Sequence, residues 1–258
     1  MRFHFMPRSL DSSIESLSKL FKESSDSGIY SILLTYHSRQ EDFWIKSAHI
    51  INEDIKTKVM IAIRTYAISP EYCAMMLAGF NAISKDKIML NIVAGDLHPD
   101  ETSVEDVIEI NDLIKTSQDR VFYTTRWLKK FKSLDMAKSN MPELVISGIS
   151  DQAIDNLLNY GDYSLCMYDY LKDNIEKFPK EKRKMCVLQV FISENDQHKK
   201  EIFDSLDNGA KRWSFIGNET EILDQFLLMG DIGITDILIT STEDYNKIFS
   251  IVKGINQC

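Results

Sequence analysis

Lys87-Ile-Met-Leu-Asn-Ile-Val-Ala-Gly-Asp96 is the stretch on which the fold turns. Five of its first seven residues are Ile, Met, Leu or Val. So dense an apolar run reads as a strand buried on both faces, and Gly95-Asp96 ends it at a turn where the backbone can approach a ligand closely. Strands buried on both faces belong to parallel sheets covered by helices, so strand and helix patterns should alternate on either side of it.

They do. Toward the amino end, Lys58 to Arg64 is an apolar run, and Ser69-Pro70-Glu71 caps a helix through Ile83 with Pro at its first position. Before these, Phe3 to Met6 and Ile29 to Thr35 read as strands. Leu10 to Asp26, with Ile14, Leu17, Leu20 and Phe21 on one face, and Asp42 to Ile51 read as helices. Toward the carboxyl end come helices Ser103 to Asp112 and Gln118 to Phe131, then strand five at Leu144 to Ser147. Ser150 is a natural N-cap for the helix Asp151 to Asn159. Tyr163 to Met167 and Met185 to Ser193 are strands six and seven, and helices Asn195 to Asp207 and Glu219 to Leu228 follow. Strand eight, Thr235 to Thr240, and a helix from Glu243 to Ile255 close the chain. The stripe Phe122, Trp127, Leu128 and Phe131, at helical spacing, reads as core. Eight strands alternating with helices is the pattern of an α/β (β/α)8 TIM barrel, with residues 1–258 as one domain; a doubly wound open sheet is the competing arrangement.

A chain of 258 residues, 44% hydrophobic and 27% charged, can bury a large core. Its formal net charge of −9 and pI near 5.1 argue against nucleic acid or an anionic membrane as partner, since both need a positive face. No segment carries the roughly 18 apolar residues of a membrane span, and the amino terminus lacks a signal-peptide pattern, so a cytoplasmic protein is expected. Cys73, Cys166, Cys186 and Cys258 lie far apart with no Cys-x-x-Cys pair, and the histidines are scattered. Reduced cysteines and no metal centre are expected.

A barrel gathers its site at the carboxyl ends of its strands. That rule collects Pro7 and Arg8, Tyr36-His37-Ser38-Arg39, Arg64-Thr65-Tyr66, Ala94-Gly95-Asp96, Gly148-Ile149-Ser150, Tyr168-Asp169, Glu194 and Ser241-Thr242. Ser147-Gly148-Ile149-Ser150 runs from a strand into a helix amino terminus, where free N–H groups and the helix dipole favour an anion; equally, Ser150 serves as a plain cap. Arg8, Arg39 and Arg64, beside Tyr36, Tyr66 and His37, suit an anionic ligand through bidentate contacts, or else pair with Glu41, Asp42 and Asp96.

Taken in order, Arg39-Gln-Glu-Asp-Phe-Trp44, Ile63-Arg-Thr-Tyr-Ala-Ile-Ser-Pro70, Leu90 to Asp96, Pro142 to Ser150 and Ile216-Gly-Asn-Glu-Thr-Glu221 resemble segments of the bacterial luciferase-like flavin monooxygenases, most nearly the alkanesulfonate monooxygenase branch. The likeness runs from about residue 2 to residue 245. It implies a (β/α)8 barrel that takes reduced FMN from a separate flavin reductase, or the deazaflavin F420 in some branches, and oxygenates a small substrate. By that resemblance Asn91, Ala94 and Gly95 approach the flavin ring, Gly148, Ile149 and Ser150 hold its phosphate, and a homodimer forms through the helices after strands two and three. His37, Arg39 and Arg64 would then position an anionic substrate as the catalytic set. The chain departs from the family at Ser9, Val187 and Gln189, where the resemblance places a catalytic His, an Arg and a His. The insertion after strand seven is also short, between Ser193 and Gly217. These departures keep open a non-catalytic flavin- or phosphate-binding barrel derived from such an enzyme, and an F420-dependent oxidoreductase stays open because ring-contacting residues differ little between the two cofactors.

Overall fold

Pairing of the apolar runs settles the architecture. A computed structural model describes residues 1–7, 13–35, 43–53, 55–94, 114, 116–241 and 245–257. Its strands are β1 (Arg2–Pro7), β2 (Ser31–Leu34), β3 (Lys58–Arg64), β4 (Ile88–Val93), β5 (Glu143–Ser147), β6 (Tyr163–Met167), β7 (Arg183–Ile192), β8 (Ser214–Gly217) and β9 (Asp236–Ser241). They follow the order β6-β5-β4-β3-β2-β1-β9-β7-β8, and β6 also pairs with β7. That extra pairing excludes an open sheet and gives an α/β fold of the closed, parallel (β/α)8 barrel class. The eight predicted strands are all present. The short β8, which the apolar pattern did not signal, pairs in parallel with the last four residues of β7.

The helices among the described residues are α1 (Ile14–Asp26), α2 (Phe43–Ile51), α3 (Pro70–Ile83), α4 (Ser117–Ser133), α5 (Asp135–Ser139), α6 (Asp151–Tyr160), α7 (Tyr168–Asp173), α8 (Asp196–Ser205), α9 (Asn208–Trp213), α10 (Glu219–Asp231) and α11 (Tyr245–Gln257). Their starts obey capping chemistry. Ser13, Ser69, Ser150, Asn195, Asp207 and Asn218 each accept a first-turn backbone N–H, and Thr116 and Asp119 form a reciprocal capping box. The expected helix Ser103 to Asp112 lies outside the described residues.

Packing divides the chain into two compact units. The first comprises Met1–Leu33, Ile55–Thr57 and Leu165–Cys258. In it, Leu17, Leu20 and Phe21 of α1 are buried, each contributing about 1.5–3 kcal/mol. Phe3 packs on Phe226 of α10, and Phe5 on Tyr245 and Phe249 of α11. The odd-numbered residues of β1 therefore face helices, and the even-numbered ones face the other way.

The second unit comprises Leu34–Asp54 and Lys58–Ser164. Here Trp44 of α2 stacks on Phe80 of α3, and Trp127 stacks on Phe131 within α4. The Trp127 indole donates to the Ile68 carbonyl at 2.7 Å. Trp127, Leu128 and Phe131 are core as expected, but Phe122 is 50% exposed because it lies on the far side of α4. Cys73, in this unit, and Cys166 and Cys186, in the first, are buried free thiols; burial pushes Cys73 and Cys166 up to about 12.

Candidate functional site

In the second unit, the Thr65 hydroxyl shares a 2.8 Å hydrogen bond with Thr124 of α4, and a Cβ on Gly161, which follows α6, would stand 2.5 Å from Ile146. Ile146 thus marks the helix-facing side of β5, register carries that side through Ile92 to Ile63 of β3, and Thr65, just beyond β3, continues it. Strand alternation turns Ala62 and Arg64 to the opposite side, and register brings Asn91 and Val93 of β4 and Val145 and Ser147 of β5 alongside them. On that inner face Arg64, Val93 and Ser147 stand in one row, with Ala62, Asn91 and Val145 in the row before. The Ser147 hydroxyl donates to Asn91 Oδ1 at 2.6 Å, which fixes the buried Asn91 amide with its N–H₂ still available to donate.

One residue further, the chain turns from β5 into α6. Gly148 has φ +136, a conformation side chains rarely adopt, and a Cβ there would stand 3.0 Å from the Ala153 Cβ. Only glycine fits without displacing that neighbour. Ser150 is extended, and its hydroxyl accepts the Ala153 N–H at 3.2 Å, so it does cap the helix. Its O–H hydrogen is left to donate, and the remaining first-turn N–H groups of a helix lack intrahelical partners. Ile149 is exposed beside them, and Asp151, also exposed, puts a carboxylate into the same first turn.

Among the sequence-derived candidates, this unit brings together Arg64, Asn91, Ala94, Gly148, Ile149 and Ser150, on the carboxyl ends of three adjacent strands. Arg8, Ser9, His37, Arg39, Gly95 and Asp96 lie outside the described residues, as do Glu41, Asp42 and Thr242. Two other rim candidates have structural work. Tyr168 accepts from Gln225 at 2.9 Å, and Asp169 pairs with Arg212 at 3.0 Å.

Sequence reading passed over a polar network at the amino ends of the first unit's strands. His4 Nδ1 lies 2.7 Å from the Ser31 hydroxyl and Nε2 lies 3.1 Å from Asp236 Oδ1. Arg183 donates to both Asp236 oxygens at 2.8 and 3.1 Å, and Thr235 donates to Oδ2 at 2.6 Å. A carboxylate only accepts, so Nε2 carries the proton toward Asp236 and Nδ1 accepts from Ser31. Burial holds the His4 imidazole below its ordinary pKa despite Asp236. Burial alone would raise the Asp236 carboxyl, but the hydrogen bonds from His4 and Arg183 prevail and hold it low. The order Ser, His, Asp imitates a nucleophilic triad, but all three side chains are fully buried at the stabilising end of the strands.

No protein-family model matches the chain. Among solved structures it is similar to the EDTA monooxygenase EmoA from Chelativorans sp. BNC1, with TM-score 0.79 and 12% identity over 100% of this chain and 93% of that one. It is similar to riboflavin lyase RcaE, solved with modified FMN and riboflavin, with TM-score 0.78 and 10% identity over 100% and 90%. A third similarity is to an F420-dependent secondary alcohol dehydrogenase in complex with an F420-acetone adduct, with TM-score 0.76 and 11% identity over 98% and 97%. At these identities the likeness establishes the fold alone.

Proposed function

We propose that the chain is a flavin-dependent oxidoreductase of the luciferase-like class, a monooxygenase that uses reduced FMN and oxygen on a small anionic substrate. The observation that carries this reading is the turn from β5 into α6. There a glycine at positive φ whose Cβ would crowd Ala153, a capping serine and a helix amino terminus meet, an arrangement suited to an anion. In this reading the Gly148 and Ile149 backbone and the Ser150 hydroxyl hold the phosphate, while Asn91, Ala94 and Gly95 approach the ring. Arg64, with His37 and Arg39, orients the anionic substrate. Bound reduced FMN would supply the electrons that activate oxygen, delivered by a separate reductase.

Titrating the purified chain with FMN by fluorescence quenching tests the reading. Wild type should bind, Gly148→Ala should lose most of the affinity, and with a flavin reductase, NADH and an alkanesulfonate, substrate consumption should exceed that of the reductase mixture alone. Failure of the wild-type chain to bind any flavin overturns it. Similarity to an F420-dependent dehydrogenase over 97% of that chain supports a second reading, an F420-dependent oxidoreductase, and a parallel F420 titration separates the two. Binding without turnover in either assay would point to the non-catalytic barrel.

A homodimer belongs to the same proposal. Tyr72, Met75 and Ile83 form an exposed apolar stripe on α3, open at Gly79, and Ile45 of α2 is 75% exposed. Light scattering on Met75→Glu should then give a smaller mass than wild type.

A further inference from the structure

In the first unit, the even-numbered face of β1 is the one turned from the helices, because Phe3 and Phe5 take the helix side. Register carries that face from Met6 to Thr240 of β9, and from Thr240 to Gln189 of β7. Two polar residues therefore stand side by side on the inner face, near the carboxyl ends of their strands. Thr240 is 0% exposed, and its hydroxyl has no hydrogen-bond partner among the described residues. Gln189 is 1% exposed; its Oε1 accepts from Ser214 at 3.2 Å, and its amide nitrogen donates to no group among the described residues.

Buried polar groups are nearly always satisfied, so the orphaned Thr240 hydroxyl indicates a missing acceptor, and the Gln189 N–H₂ stands beside it to donate to the same group. Next along the same face toward the amino ends are Val187 and Leu238, register partners and both apolar. The nearest charges on this face of β7 and β9, Arg183 and Asp236, neutralise one another at the far ends of the strands. Among the described residues of β7 and β9 no counter-charge stands beside Gln189 and Thr240, which disfavours an ionic group between them. A neutral oxygen that accepts two hydrogen bonds fits.

We propose that Gln189 and Thr240 form a subsite for an uncharged carbonyl oxygen. Either a ring carbonyl of a flavin or the carbonyl of an organic substrate has this chemistry. The subsite deepens the flavin reading and rests on it only for the first of these sources.

The test measures FMN affinity by fluorescence quenching, cyclohexanone binding by saturation-transfer NMR, and melting temperature. Each is applied to wild type, Thr240→Val, Thr240→Ser and Gln189→Leu. A ring carbonyl in the subsite predicts that Thr240→Val and Gln189→Leu each weaken FMN about tenfold, with Thr240→Ser close to wild type. A substrate carbonyl predicts unchanged FMN affinity and loss of the cyclohexanone signal in the same two variants, again restored in Thr240→Ser. If wild type binds no FMN, the flavin reading fails on its own and the cyclohexanone arm decides the subsite. The proposal is overturned if Thr240→Val merely raises the melting temperature and neither ligand distinguishes the four chains.

Discussion

Asp236 and Thr240 stand on one face of one strand, four residues apart, in opposite states. Asp236 is fully buried and accepts hydrogen bonds from His4, Arg183 and Thr235. Thr240 is as deeply buried, and its hydroxyl meets nothing among the described residues. A polar group saturated by its neighbours can only hold the fold, whereas one left unsatisfied has capacity for a ligand. The contrast separates the stabilising end of these strands from the end that can bind.

The largest effect should come from breaking the saturated end. Asp236→Ala leaves the His4 and Arg183 groups without their acceptor and should cost about 3–5 kcal/mol in denaturant unfolding. Little or no loss would show that the network is dispensable. At the other end, Gly148→Ala should cost about 1–3 kcal/mol, because a side chain is forced into a sparsely populated positive-φ conformation, and should weaken FMN by more than that strain accounts for. Equal losses in stability and affinity would remove the reason to see a phosphate site there.

Ser150 and Ser69 sharpen the distinction between cap and site, since both are extended and both accept a first-turn N–H. Alanine at either should cost about 1 kcal/mol, but only Ser150→Ala should also weaken FMN. A smaller effect belongs to Asp151, whose carboxylate would compete with a phosphate for the helix end. Asp151→Asn should tighten FMN severalfold at low salt, within the roughly 0.3–1 kcal/mol of such dipole interactions.

Acid should act on the saturated end first. His4 is held below its ordinary 6.5, so the unfolded chain binds that proton more readily and stability falls as pH drops from 6.5 toward the folded value. Asp236 is held below 3.8, so its contribution is present above 3.8 and disappears as pH falls through the lower folded value. Melting temperature should therefore decline with acidification below 6.5, and a flat profile there would contradict the buried neutral imidazole.

Much of this was readable from residue order. Dense apolar runs such as Ile88 to Val93 announce doubly buried strands, and Ser69-Pro70 and Ser150 announce helix starts, because both signals are local. The strand Ser214–Gly217 was not readable, since four residues between a short helix and a cap carry too little periodicity. Thr240 and Gln189 were equally hidden. Whether a polar residue in a strand faces helices or the inner side depends on parity, which only the register with β1 resolves. The His4 network needs residues 232 apart in sequence, so no local pattern announces it.

Gln189 also occupies a junction within β7, pairing in register with Thr240 on one strand and with Ser214 on another. The amides of the brief β8 segment therefore offer a remote gauge: whatever steadies the Gln189 carboxamide should slow their deuterium uptake. Exchange mass spectrometry of the peptide spanning 214–217 would thus register an occupant of the inner face without a label on it.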